Sequence, residues 1–146
     1  MAGFFGKWSK TAGSNATADS TVNWSEGQAP SSVNDSGRAM MASTASFRDD
    51  TAGSLIVGGT STAYTLTTNQ AFASLADMDG QEITFVITPP NGDAATLNVN
   101  GLGAKALVFA VGSPMPAGSL LDGSIYTATY VNSANCWKVH NPAVGN

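Results

Sequence analysis

A chain of 146 residues is about the size of one ordinary domain, so any second unit must be small, extended or shared between subunits. Charged residues make up 11%, against roughly 25% in soluble domains, while hydrophobic residues reach 42% at a net charge of −4. Disordered chains combine few apolar residues with high net charge, so disorder is expected only at the ends. The basic residues Lys7, Lys10, Arg38, Arg48, Lys105 and Lys138 are scattered, which leaves no basic stripe for nucleic acid. The opening MAGFFGKWSK lacks the apolar core of a signal peptide, and no stretch approaches the roughly 18 apolar residues of a membrane span. The chain is therefore expected to stay in a cytosol until assembly. A single cysteine, Cys136, excludes an internal disulfide and a structural zinc site, and it reads as a small apolar filler in a strand.

Residues 1–31 read as an extended arm. Its aromatics Phe4, Phe5, Trp8 and Trp24 are separated by small and polar residues, with no period of two or 3.6. Such an arm cannot bury its own aromatics, so they either fold back on the rest of the chain or insert into a neighbouring protein; the expectation is the neighbour, and with it a docking arm. Pro30 ends the extended run, and Ser32 followed three residues later by Asp35 predicts a helix over 32–50. Within it Val33, Gly37, Met40, Thr44 and Phe47 are spaced four, three, four and three, the heptad seam along which helices pack side by side. Two heptads are too few to hold a coiled coil alone. The helix is either a seam between three copies, narrowed by Gly37 and Thr44, or an amphipathic helix lying on its own β-domain.

From Thr51 the texture changes to short alternating runs broken by turn residues, the pattern of sheets with one buried face. The runs Leu55–Val57, Ala63–Thr68, Glu82–Thr88, Ala95–Val99, Lys105–Val111, Ser124–Val131 and Asn135–His140 predict strands. Turns are signalled by Asp79-Gly80, Pro89-Pro90-Asn91-Gly92, Asn100-Gly101 and Asp122-Gly123. The fold class expected is mainly β: an extended arm over 1–31, one short α-helix over 32–50, and a small antiparallel β-sandwich or barrel-like domain over 51–146. In Ser124–Val131 both faces carry bulk, Ile125 and Val131 on one and Tyr126 and Tyr130 on the other, so the strand needs two partners. The second is either another sheet of the same domain or a neighbouring subunit.

The run NWSEGQAPSSVNDSGRAMMASTASFRDD at 23–50 resembles the N-terminal segment common in phage tail-fibre and related virion proteins. The resemblance is carried by Trp24, Glu26, Gly27, Pro30, Ser31, Val33, Asn34, Asp35, Arg38, Met40 and Met41, with Gly37 standing where that pattern has Ala. ATLNVNGLGAKAL at 95–107 and PAGSLLDGSIYTATY at 116–130 are similar to a β-module that recurs in such fibres. The resemblance implies a virion location, reached by assembly in the bacterial cytoplasm, with particle attachment through the N-terminal segment and a trimeric shaft or tip. The partners it implies are two further copies of the chain, other virion proteins of tail, collar or baseplate, and in some members the host cell surface.

Catalysis needs an activated nucleophile with a base, paired carboxylates in a cleft, or metal ligands at workable spacing. His140 and Cys136 share a strand face but no motif accompanies them. Asp77, Asp79 and Glu82 are too closely spaced for a calcium loop and read as solvated turn carboxylates. Three glycosylation-type triplets, at Asn15, Asn23 and Asn34, are what a Ser/Thr/Asn-rich chain produces by chance, and Gly101-Leu102-Gly103 lacks the third glycine of a phosphate loop. No catalytic residue, metal ligand or cofactor is expected. The leading expectation is a non-enzymatic structural subunit of a phage appendage; the alternative is an adhesin for a bacterial surface glycan or protein, with Tyr64, Tyr126, Tyr130 and Trp137 as the recognition aromatics.

Overall fold

In a computed structural model, which describes residues 5–140, Pro30 opens the helix rather than preceding it. Helix α1 spans Pro30–Thr51, 22 residues, slightly beyond the expected 32–50 at both ends. Proline's fixed φ suits a first helical position, where its missing N–H would have no partner. Ser32 is therefore inside the helix, and its hydroxyl donates to Gln28 Oε1 (2.7 Å) instead of capping. The helix stops before Gly53, whose φ of +85° turns the chain; a Cβ there would also sit 3.1 Å from Ile125 Cγ2, so the stop needs glycine on both counts.

The chain divides into two compact units. The first runs through Arg48 and takes in Asn69–Ala71; the second holds Asp49–Thr68 and the chain from Phe72 onward. In the first unit the arm is not extended, which corrects that part of the sequence expectation, and Phe5 and Trp8 have partners in their own chain. Short 3₁₀ turns form at Phe5–Lys7 and Ala12–Asn15. The Asn15 side chain closes one loop by accepting from the Ser9 N–H (2.7 Å) and donating to the Ser9 carbonyl (2.8 Å). Buried Asp19 closes another, accepting from the Thr21 N–H (2.8 Å), the Thr21 hydroxyl (2.7 Å) and the Trp8 indole (3.3 Å). On α1, buried Ser36 is small enough to let backbone approach: the Asn23 N–H donates to Ser36 Oγ (2.7 Å), which donates back to the Asn23 carbonyl (3.1 Å). Asn, Asp and Ser side chains that bond locally to backbone build turns with no hydrophobic period, which is why periodicity could not reveal them.

In the second unit, nine strands among the described residues form one sheet: β1 (Leu55–Ile56), β2 (Gly58–Thr60), β3 (Ala63–Leu66), β4 (Glu82–Val86), β5 (Thr96–Val99), β6 (Ala104–Ala110), β7 (Ser113–Pro114), β8 (Ile125–Val131) and β9 (Cys136–His140). Their order is β1-β4-β8-β9-β6-β5-β3-β2, with β7 added on β6. The first and last strands of that order are separated in the chain by Val57 alone, so one short segment supplies both edges and the sheet curls into a nearly closed barrel. The Val57 N–H donates to the Val86 carbonyl (3.1 Å), and its side chain is buried at the closure. Closure leaves little open edge for unwanted pairing.

Of the two architectures expected, the chain thus adopts the barrel-like one. Pairs β1–β4, β3–β5 and β6–β9 are parallel and the others antiparallel, so the sheet is mixed. Inward positions alternate as the period of two requires. Ile83 and Phe85 of β4, Leu97 and Val99 of β5, and Ala128 and Tyr130 of β8 are fully buried or nearly so. Buried Asn91 ties two loops: Oδ1 accepts the Leu120 N–H (2.6 Å) and Nδ2 donates to the Pro116 carbonyl (2.8 Å).

Candidate partner-docking surface

In the first unit, buried Ser36 on α1 meets the arm at Asn23. A different stripe of the same helix stays open. Gly37, Met40, Met41, Thr44, Ala45 and Arg48 line an open groove of about 850 Å³ together with Trp24. A smaller cavity of about 80 Å³, lined by Trp8, Asn15, Val22, Trp24 and Met40, and a hollow of about 510 Å³ on the side of Ala12 and Glu26 adjoin the same two side chains. Trp24 and Met40 line all three concavities. Trp24 is 38% exposed and Met41 73%, both large for apolar side chains that form part of a continuous surface.

The expected docking aromatics divide. Phe4 lies outside the described residues. Phe5 packs edge-on against Phe47, ring centroids 4.8 Å apart, and lies 5.9 Å from Trp8. The Trp8 indole is spent on Asp19, so of these residues Trp24 is the one that faces outward. Burial alone would raise the Asp19 carboxyl, but the Thr21 and Trp8 hydrogen bonds and nearby Lys7 outweigh it and hold the group below its ordinary value.

The expected seam residues are brought together along one stripe, except at its end. Val33 is exposed, Gly37, Met40 and Thr44 lie at the groove, and the Thr44 hydroxyl is satisfied by the Met40 carbonyl (2.9 Å). Phe47 is half-buried under Phe5, so the chain's own arm occupies that position. The open stripe passes instead to Met41, Ala45 and Arg48, which the seam reading did not include. A straight helix drifts by about 20° per heptad against a 3.5-residue repeat, and that drift was the available signal.

The four expected recognition aromatics are in the barrel core, which corrects their assignment to the surface. Tyr64, Tyr130 and Trp137 are essentially without exposure and Tyr126 nearly so. Their hydroxyls serve the fold: Tyr64 donates to the Pro89 carbonyl (2.6 Å), and Tyr126 accepts from the Leu121 N–H (2.9 Å). Burial, with Asp122 nearby, pushes the Tyr64 phenol up to about 12; burial also raises Tyr130, with Cys136 and Asp79 adding to it. A strand alternates its side chains between faces, and a barrel this small needs aromatic volume inside.

Across the outside of the barrel, Ile56, Val86 and Ile125 stand in register on β1, β4 and β8, with Ile56 64% and Ile125 60% exposed. The remaining outward positions nearby are polar, with Thr84 and Thr127 sharing a hydrogen bond (2.8 Å) and His140 Nε2 bonded to Thr129 Oγ1 (2.7 Å), 4.0 Å from Glu82. Asp77 accepts from the Ala73 and Ser74 N–H groups (3.1 Å each) and Asp79 from the Asn132 N–H (2.9 Å), so these carboxylates shape loops. Burial raises the Cys136 thiol. Among the described residues there is no group of three or more His, Cys, Asp and Glu that could hold a metal ion, and no helix is long and apolar enough to cross a membrane. No family model matches the chain, and no curated protein matches it either.

Proposed function

We propose that the chain is a structural subunit of a bacteriophage particle, a short homotrimeric fibre or spike component of tail, collar or head, attached through its first unit to other virion proteins. The observation that carries this reading is the groove beside Trp24. The segment 23–50 that resembles the attachment segment of virion proteins is also the segment that lines the groove. Trp24 and Met41, exposed beside it, are side chains suited to burial against protein. The adhesin alternative has less in its favour, since the aromatics it would use fill the barrel core.

The test is location. A C-terminal peptide tag labelled with gold on purified particles is expected to mark one class of appendage, three labels to each. Particles that assemble normally and contain none of the chain would refute the reading.

A further inference from the structure

We infer that the groove along α1 receives the α1 helix of a second copy of the same chain, with Trp24 as the wall against which that helix rests. The inference rests on the trimeric reading and names the surface that makes the trimer.

A surface that accepts its own copy must repeat at the spacing on which two identical helices interdigitate. Val33, Gly37, Met40 and Thr44 do so, at intervals of four, three and four. This stripe is also the side of α1 that its own arm leaves open, since the arm sits on Ser36 at one flank and on Phe47 at the far end. The relief suits a helix: Gly37 and Ala45 keep the floor low, while Met40, Met41 and Trp24 stand up around it.

Charge points the same way. From Val33 to Ala45 the stripe carries no ionisable group, so a copy can lie on it without stripping water from an ion. The ion pair Asp35–Arg38 (3.2 Å) is mostly exposed; at 100° per residue Asp35 lies on the far side of the helix, while Arg38 stands at the edge of the stripe, about 20° from Ala45. Of the residues that line the groove only Arg48 is charged, and it stands at the end of the stripe.

Two heptads cannot hold helices together by themselves, and Trp24 supplies what they lack. It brings the area of an indole to the seam from outside the helix, without lengthening it. Met41 then reaches from the open flank onto the neighbour, which accounts for the most exposed large apolar side chain of the described residues.

The experiment is mass measurement of the full chain at micromolar concentration, with helical content followed by circular dichroism. Gly37→Leu puts an apolar side chain into the groove from a position where an added Cβ meets nothing within 4 Å, and the dichroism checks that the subunit keeps its helix. Met41→Glu places a charge on the neighbour-facing flank, and Ile125→Glu does the same on the outside of the barrel. The wild type is expected to be a trimer, both groove variants to weaken association roughly a hundredfold or more with unchanged dichroism, and Ile125→Glu to remain trimeric. Trimers that persist in both groove variants overturn the inference and leave the trimeric reading standing. A monomeric wild type overturns the reading itself.

Discussion

Trp137 in the barrel and Trp24 beside α1 are the same residue in two settings. Trp137 has no exposed surface and lies 5.1 Å from the Tyr130 ring, whereas Trp24 keeps 38% of its surface in water in the lining of a groove. The units around them differ in the same way. The barrel turns most of its large apolar side chains inward on alternate positions, with Ile56 and Ile125 among those left outside, and closes its edges with one segment. The first unit is tied internally by Ser36, Asn15 and Asp19 and leaves Trp24, Val33 and Met41 outside.

The largest expected effect comes from truncating both tryptophans in turn. Trp137→Ala should cost about 3–5 kcal/mol by opening a cavity in the barrel, read as a large fall in Tm. Trp24→Ala should cost the isolated subunit less than about 1 kcal/mol, as for other surface positions, while weakening association. Equal losses in the two variants would erase the contrast between the units.

Gly59→Ala probes the barrel's closure. Gly59 adopts φ +86°, and an added Cβ would run into the Ala63 carbonyl oxygen, so β2 would have to leave β3. A destabilisation of about 2 kcal/mol or more is expected in urea unfolding, and an unchanged midpoint would mean that the closing segment contributes nothing.

A smaller, selective effect should follow acidification. The Asp19 carboxyl is held below its unfolded value, so its stabilisation is complete above about pH 5 and is lost as pH falls through the lowered value. Trp8 fluorescence should change below about pH 4 while the barrel's near-ultraviolet dichroism is retained, and in Asp19→Asn that transition should vanish. Simultaneous loss of both signals would show that the units melt together.

The barrel was largely legible in the sequence because its strands alternate cleanly: Ile83, Phe85 and Ile87 announce β4 and its inward face. What escaped was β2, whose Gly58-Gly59-Thr60 reads as a turn, and β7, which is two residues ending in proline. The inward direction of Tyr64, Tyr126, Tyr130 and Trp137 escaped too, because a two-faced strand does not state which face is the core. In the first unit the stripe from Val33 to Thr44 was legible from its spacing. The arm's fold was not, because it depends on Asn15, Asp19 and Ser36 bonding to backbone, and single polar residues in a Ser/Asn-rich stretch give no period to read.

Hydroxyl-radical footprinting of the chain diluted until it is monomeric, and of intact particles, compares the units in one measurement. Met41 and Trp24 are oxidisable and exposed in the single chain, and both should become strongly protected in the particle, while Ile56 and Ile125 on the barrel keep their reactivity. Protection of Ile56 and Ile125 with Met41 and Trp24 still reactive would contradict the assignment of the interface to α1 and its arm.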